Sequence, residues 1–202
     1  MDRAMEIFCD VQRGLPRQGP GLEQCTLEAL SLCRDLPADP RILDVGCGPG
    51  MQTLALVKAL PSASITALDL MADYLEQCRD SIDRAGFGAR VSVVEEDMSA
   101  MPFEDGSFDL IWSEGAAYSI GFDQAVGSWR RFLGPGGCLA VSELVWLQPD
   151  PAEELRTFWS NEYPQMASID EVAGRFEGLG YQLLGHFTLP DEAWLTDYYT
   201  PL

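Results

Sequence analysis

The sequence is poor in positive charge. Lysine and arginine together number 13 against 32 aspartates and glutamates, so the formal net charge is −19. A surface with this balance repels phosphate backbones and anionic lipid. The compact basic pair, Arg130 and Arg131, is more typical of a helix surface than of a binding stripe. The charge therefore disfavours a nucleic acid partner and a stable association with membranes.

Long apolar runs are missing as well. No stretch approaches the ~20 apolar residues that a membrane-spanning helix needs. Residues 1–10 mix charged with apolar side chains, unlike the core of a signal peptide. We therefore expect a cytoplasmic protein. The length of 202 residues and the apolar content of 47% are those of one well-buried domain spanning residues 1–202.

Metal-binding and redox patterns are also absent. The six cysteines, at positions 9, 25, 33, 47, 78 and 138, form no C-x-x-C pair, and no histidine lies near them. We expect most of them to be reduced core residues, and we expect no metal site. His186, the only histidine, falls in a predicted strand and indicates a structural role.

Short apolar segments alternate with helical patterns from residue 41 to about residue 188. This alternation is typical of a doubly wound, mainly parallel α/β sheet of the Rossmann-like kind, with helices on both faces. The strands are predicted at 41–45, 64–69, 90–94, 108–113, 137–144 and 181–188. Helices are predicted over 21–36, over 169–179 and, from the spacing of apolar residues, around 54–60, 71–82 and 122–133.

The segment ILDVGCGPG at 42–50 reads as a buried strand followed by a glycine loop that opens a helix. Such a loop presents backbone N–H groups and the positive end of a helix to a ligand, as in nucleotide-type cofactor sites. Gly46, Gly48 and Gly50 alternate as G-x-G-x-G, and Met51 stands where a dinucleotide fingerprint has its third glycine. The phosphate-loop lysine motif is missing too. A cofactor without phosphates fits best.

Acidic residues follow at the carboxyl ends of the next two strands. Asp69 ends the second strand, where a carboxylate can accept both hydroxyl hydrogens of a ribose or cap the following helix. Asp97 follows the third strand, where it can accept a hydrogen bond from an adenine amine, while Met98 packs against the ring. Because ligands of open α/β sheets bind along this edge, the three features predict one site.

These motifs resemble those of class I S-adenosylmethionine-dependent methyltransferases. The matching segments are LDVGCGPG at 43–50, Asp69, EDM at 96–98, FDLIW at 108–112 and RFLGPGG at 131–137. The resemblance covers residues 41–145 and implies S-adenosyl-L-methionine as the cofactor. The cofactor-binding positions that we predict are Asp44, Gly46, Cys47, Gly48, Gly50, Asp69, Leu70, Asp97, Met98 and Ser113. Arg17 and Gln18, from the glycine- and proline-rich segment 14–21, either close over this cofactor or belong to a structural loop.

The segment WSEGAAYSIGF at 112–122 lies where this family usually positions the methyl acceptor. Glu114 is the candidate to orient or deprotonate an acceptor, although a carboxylate here can equally anchor backbone amides or the cofactor's amino group. Tyr118 either lines the acceptor pocket or packs in the core. The Asn/Asp-Pro-Pro-Tyr and Pro-Cys motifs of base methyltransferases are missing. This segment and RQGPG at 17–21 resemble a small-molecule branch related to quinone-biosynthesis methyltransferases.

The resemblance divides the single domain into a lid segment at 1–40, a cofactor-binding core at 41–145 and a substrate side at 146–202. This family commonly ends its sheet with an antiparallel seventh strand, which we expect to be missing or truncated here. A methyltransferase acting on a small molecule is the favoured function, and the sequence leaves a homo-oligomer open. The alternatives are a non-catalytic S-adenosylmethionine-binding or regulatory protein and, less favoured, a nucleotide-dependent oxidoreductase.

Overall fold

A five-stranded parallel sheet forms the centre of the protein. The computed structural model describes residues 11–12 and 14–201. The strand order is β3-β2-β1-β4-β5, and every neighbouring pair is parallel. The strands are β1 Arg41–Val45, β2 Ser64–Asp69, β3 Val91–Glu95, β4 Phe108–Glu114 and β5 Leu133–Ser142.

Helices connect these strands and cover the sheet. They are α1 Glu23–Leu32, α2 Met51–Ala59, α3 Ala72–Arg84, α4 Phe122–Trp129, α5 Glu153–Glu162, α6 Ile169–Gly178 and the short α7 Glu192–Trp194. Two 3-10 turns lie at Ala117–Ile120 and Arg130–Phe132, and a single π-helical turn lies at Leu195–Tyr199. A separate two-stranded ladder joins β6 Val145–Trp146 to β7 Ala167–Ser168. None of the helices in the described part of the chain is long and apolar enough to span a membrane.

Alternate residues of the central strand β1 face opposite sides of the sheet, which is why helices cover both. Ile42 belongs to a buried cluster with Leu56 of α2 and Leu75 of α3. Leu43 belongs to a second cluster, with Phe122 of α4 and Val172 of α6. Strands buried on both faces are typical of parallel sheets. The prediction of a doubly wound α/β sheet is therefore confirmed.

The cysteines that the structure describes are all free thiols. Cys25, Cys47, Cys78 and Cys138 are buried, and Cys33 is half-buried. Burial raises the pKa of the Cys33 thiol to about 12, and the neighbouring Cys138 adds to this shift. A thiol with so high a pKa is a poor nucleophile, so these residues belong to the core. Cys9 lies outside the described residues.

The sixth strand predicted at 181–188 is wrong. These residues form neither helix nor strand, and no backbone hydrogen bond joins residues 182–189 to another described residue. Leu183 and Leu184 supply the apolar pattern of a strand, yet they are 42% and 46% exposed. A strand requires a partner ladder as well as apolar residues, and the parallel sheet ends at β5. Within the described chain, the sheet also carries no seventh strand.

Candidate functional site

The glycine loop turns directly from β1 into α2 in a backbone conformation that favours glycine. Gly46, Gly48 and Gly50 have φ values of 71°, 52° and 91°, all in the left-handed region. A Cβ at Gly46 would overlap Cβ of Ala116, which follows β4. The loop therefore lies against the carboxyl end of β4. The N–H groups of Gly46, Cys47, Gly48 and Gly50 donate hydrogen bonds within the protein, so the expectation that the loop offers them to a ligand is wrong for this structure.

A buried carboxylate fixes the underside of this loop. Asp44 is fully buried and accepts hydrogen bonds from Thr53 Oγ1 at 2.5 Å and from Gln52 Nε2 at 3.4 Å. Gln52 Nε2 also donates to the Cys47 carbonyl at 3.0 Å. Burial raises the pKa of Asp44 to about 7, and the bond from Thr53 opposes this shift. Asp44 thus ties the loop to the first turn of α2 and does not face the outside.

Asp69, at the end of β2, contacts the loop from the other side. Its Oδ2 accepts a hydrogen bond from the Gly48 N–H at 3.0 Å, and its Oδ1 accepts one from the Met71 N–H at 3.0 Å. Each carboxylate oxygen can accept a second hydrogen bond, so both remain available to ligand hydroxyls. Leu70 beside it is 61% exposed and offers an apolar surface at this edge.

In the segment after β3, Met98 lies next to the glycine loop, whereas Asp97 bonds to Ser99. Met98 Cε lies 3.6 Å from the position that a Cβ of Gly46 would take, and its carbonyl accepts a hydrogen bond from Trp129 Nε1 at 3.0 Å. Asp97 is exposed and accepts two hydrogen bonds of 2.7 Å from Ser99. These bonds lower the pKa of Asp97 below its ordinary value.

Glu114, at the end of β4, uses both oxygens within the protein. Its Oε2 accepts a hydrogen bond from Arg17 Nη1 at 2.8 Å. Its Oε1 accepts bonds from Thr26 Oγ1 at 2.6 Å and Trp112 Nε1 at 3.0 Å. Arg17 and Glu114 are 4% and 13% exposed, so this is a buried ion pair. These contacts favour the anchoring role, and a catalytic role of Glu114 stays a prediction.

Several buried polar atoms beside this ion pair have no hydrogen-bond partner among the described residues. They are Arg17 Nε and Nη2, Gln18 Oε1 and Ser113 Oγ. Buried polar atoms are nearly always hydrogen-bonded, so unpartnered donors on a buried guanidinium fit a carboxylate ligand. Gly21 keeps this place open, because a Cβ there would lie 2.5 Å from Arg17 Nη1. Gln18 Cγ lies 3.6 Å from the Cβ position of Gly48, which connects the segment to the loop.

Tyr118, in the 3-10 turn after β4, is 47% exposed and lies at the same edge. Its ring meets that of Tyr163 edge-on, with 6.0 Å between centroids. Tyr163 and the neighbouring Glu143 were not among the predicted site residues. Glu143 could have been found from its place directly after β5. The strand predicted at 137–144 included Glu143, whereas β5 ends at Ser142.

Parallel strands that end in a glycine loop and a carboxylate define a protein that binds a nucleotide-type cofactor along the edge of its sheet. The chain is similar to the class I S-adenosylmethionine-dependent methyltransferases. Residues 42–137 match the family model described as a methyltransferase domain. The narrower resemblance to quinone-biosynthesis enzymes stays a prediction.

Individual relatives agree with this family. The chain is 36% identical over 129 residues to the malonyl-[acyl-carrier protein] O-methyltransferase of Legionella pneumophila. The matched segment covers 62% of this chain and 43% of that relative. The chain spans less than half the length of the curated relatives that it matches here.

Solved structures share the fold. A methyltransferase of Geobacter sulfurreducens in complex with S-adenosyl-L-homocysteine has a TM-score of 0.82 at 21% identity, over 94% of this chain and 76% of that one. The cyclase SpnF has a TM-score of 0.72 at 20% identity, over 90% of this chain and 70% of that one.

Proposed function

We propose that this chain transfers a methyl group from S-adenosyl-L-methionine to a small-molecule acceptor. The observation that carries the proposal is the glycine loop together with Arg17, whose guanidinium is buried with two unpartnered nitrogens. A loop without phosphate-binding lysine suits a nucleoside, and a buried guanidinium suits the carboxylate of an amino acid. S-adenosylmethionine combines these two parts in one molecule.

The described residues fit this cofactor at each of its parts. Asp69 retains acceptor capacity for the ribose hydroxyls, and Leu70 with Met98 offers apolar surface for the adenine. Asp97 is placed next to Met98, although its bonds to Ser99 leave its contact with the adenine a prediction. Arg17 is proposed to bind the methionine carboxylate.

Methyl transfer asks little of acid or base groups on the donor side. When bound, S-adenosylmethionine supplies a methyl group already activated by its sulfonium. The protein residues then hold donor and acceptor in line and exclude water, which can account for much of the rate. Gly46 and Ala116 leave no room for solvent between the loop and β4. Ser113 is fully buried with a free hydroxyl oxygen at the end of β4, where it can orient either partner.

The wider assignments are parts of the same proposal. The surface charge of −19 supports a small-molecule acceptor rather than a nucleic acid, and the acidic surface also argues against stable membrane association. We propose a cytoplasmic protein and leave the homo-oligomer as an expectation. We also propose the division into a lid at 1–40, a core at 41–145 and a substrate side at 146–202, which the places of Arg17, the loop and Tyr163 support.

A second candidate is a protein that uses this fold without transferring a methyl group. The structural similarity to the cyclase SpnF supports this second candidate, because the same fold carries a different reaction in that protein. This candidate includes the non-catalytic S-adenosylmethionine-binding or regulatory protein. Both candidates require the cofactor to bind, and they differ only in turnover.

Calorimetry and an acceptor screen test the proposal. We expect S-adenosylmethionine and S-adenosylhomocysteine to bind at least about tenfold more tightly than NAD. A screen of phenols, quinols, amines and thiols should then yield S-adenosylhomocysteine with at least one class. Tight binding of NAD alone would indicate the oxidoreductase. Binding of S-adenosylmethionine with no turnover across the screen would favour the second candidate.

A further inference from the structure

Glu143 occupies a place at the sheet edge that corresponds to that of Glu114 one strand away. Glu114 ends β4 and is paired in register with Ser142, the last residue of β5. The Gly115 N–H donates to Ser142 Oγ at 2.9 Å, which holds the two strand ends together. Glu143 therefore follows at the same carboxyl edge as the cofactor site, beside Ser113 and Glu114.

The carboxyl group of Glu143 is only half satisfied. Its Oε1 accepts a hydrogen bond from the Leu144 N–H at 2.7 Å. Its Oε2 is buried and has no hydrogen-bond partner among the described residues. Leaving a buried charged acceptor without a donor costs free energy, so this oxygen is suited to a donor that arrives with a ligand. In this respect it differs from Glu114, whose two oxygens are occupied.

Two side chains from outside β5, Tyr163 and Arg175, act on this carboxyl. Tyr163, which precedes β7 in the chain, interacts with Glu143 through its hydroxyl. Arg175 of α6 acts on the carboxyl through its charge, but its Nη1 is shared with Asp123 of α4 at 3.7 Å. Arg175 Nη2 donates to the Gln165 carbonyl at 3.3 Å. The guanidinium of Arg175 is therefore shared among several partners and does not neutralise Glu143 alone.

These surroundings put the charge change of Glu143 near neutrality. Burial raises the pKa of Glu143 to about 7, while the bonds from Leu144 and Tyr163 and the charge of Arg175 oppose the rise. Burial and the Glu143 charge raise the pKa of Tyr163 to about 12, so Tyr163 stays protonated. A carboxyl with its pKa close to working pH is well placed to accept a proton.

The carboxyl also lies at the end of a large cavity of about 980 Å³. Ser113, Glu114 and Glu143 line its part at the sheet edge, and apolar residues such as Val141, Val145 and Val172 line much of the rest. Charged side chains, among them Arg34, Asp35 and Arg130, also contribute to the lining. The cavity runs along β5, and no residue of the glycine loop lines it. A mainly apolar cavity that holds a carboxyl at the sheet edge suits a molecule with a largely apolar body and a polar head.

We propose that Glu143 is the base that takes the proton from the methyl acceptor, and that this acceptor is an apolar molecule whose nucleophile is a hydroxyl or an amine. The inference rests on the proposed methyl transfer. The proton of the nucleophile passes to Glu143 Oε2, and the freed electron pair forms the bond to the methyl carbon. The carbon–sulfur bond breaks, and its electron pair stays on sulfur.

The test compares three probes of equal length, octylamine, octanol and octanoate, by calorimetry with and without S-adenosylhomocysteine. At about pH 8 the wild-type protein should bind octylamine, as its ammonium, at least about tenfold more tightly than octanoate. Octanol should bind between the two. Glu143→Gln should remove most of this preference, whereas Glu162→Gln, which removes a nearby exposed charge, should keep it.

The pH dependence separates a charged base from a structural carboxyl. At about pH 6, below the pKa of Glu143, the group is protonated and the preference should shrink in the wild-type protein but not change in Glu143→Gln. Tyr163→Phe removes a hydroxyl whose interaction lowers the pKa of Glu143, so the transition should move to higher pH. Circular dichroism checks that each variant folds.

Equal binding of the three probes, binding of none, or the same loss in Glu162→Gln would overturn the assignment. Failure of S-adenosylhomocysteine to bind the wild-type protein counts against the proposed methyl transfer instead. The two failures are distinguishable because the probe preference is measured in both the presence and the absence of the cofactor product.

Discussion

At the scale of single residues, burial rather than distance separates the ion pairs of this protein. Arg156 Nη2 lies 2.6 Å from Asp150 Oδ1, yet the two side chains are 54% and 93% exposed. The Arg17 pair with Glu114 is longer, at 2.8 Å, but nearly all of it is withdrawn from water. Exposed pairs contribute little, while removing one member of a buried pair strands a charge.

We predict that Arg17→Met destabilises the protein strongly and Arg156→Met hardly at all. Loss of Arg17 leaves Glu114 buried without its cation, which typically costs about 3 kcal/mol. The matched change at Arg156 should cost less than about 1 kcal/mol. Urea unfolding of both variants gives the two free energies. Equal losses would show that the Arg17 pair is not the anchor described here.

The residues of the site differ in how far the sequence could predict them. Spacing alone placed the glycine loop, Asp69 and Met98 at one edge, because each follows a strand of a parallel sheet. The partners of Glu114 could not be predicted, since Arg17 lies 97 residues away in sequence. Glu143 was missed because the strand predicted at 137–144 places it inside a strand, whereas β5 ends at Ser142.

At the scale of elements, α6 carries a complete N-terminal cap. Ser168 Oγ accepts a hydrogen bond from the Glu171 N–H at 3.3 Å, and Glu171 Oε2 accepts one from the Ser168 N–H at 2.9 Å. This reciprocal pair satisfies backbone donors that the first turn of a helix leaves free. Because α6 buries Val172 against the sheet, the cap also supports the wall of the large cavity.

We predict that Ser168→Ala lowers the free energy of unfolding by about 1 kcal/mol. The change removes the cap acceptor and leaves the Glu171 N–H unpaired. Ser160→Ala is the control, because Ser160 lies within α5, is exposed and donates back to the Arg156 carbonyl. It should be neutral or slightly stabilising, since alanine is the better helix former. Thermal unfolding measures the loss of stability in both variants. A similar loss in both would show that the Ser168 cap does not stabilise α6.

Elements were predictable where local pattern and partner agree. The bounds of β1 and β2 were predicted correctly, because both are short apolar segments in the middle of the sheet. β5 begins at Leu133 rather than at 137, and the sequence hid this start because glycine and proline follow Leu133. Helix α5 was missed because none of its residues is buried, and 181–188 was overpredicted because a strand depends on a distant partner.

At the scale of the whole molecule, the charge of −19 acts on folding as well as on binding. Like charges spread over one compact surface repel each other, and they lie farther apart in the unfolded chain. Salt screens this repulsion over a distance of about 10 Å at 0.1 M ionic strength. The ion pairs of the described residues offset this repulsion only weakly, because most of them are exposed to solvent.

We predict that the melting temperature rises when sodium chloride increases from about 0.02 M to about 0.5 M, because screening weakens the repulsion. Choline chloride at the same ionic strength is the control and should give a similar rise, which separates screening from binding of sodium. Differential scanning calorimetry measures both. A melting temperature that falls with either salt would mean that attractive pairs outweigh the repulsion.

The proposed donor side and the proposed acceptor side of the site lie on different parts of the architecture. The glycine loop, Asp69 and Glu114 end β1, β2 and β4, three strands that are each paired on both edges. Glu143 and Tyr163 belong to the stretch outside the sheet, between β5 and α6, where helix α5 has no buried residue. Mutations in that stretch disturb few shared contacts. A protein built this way can diverge toward new acceptors over evolutionary time while its donor site stays unchanged.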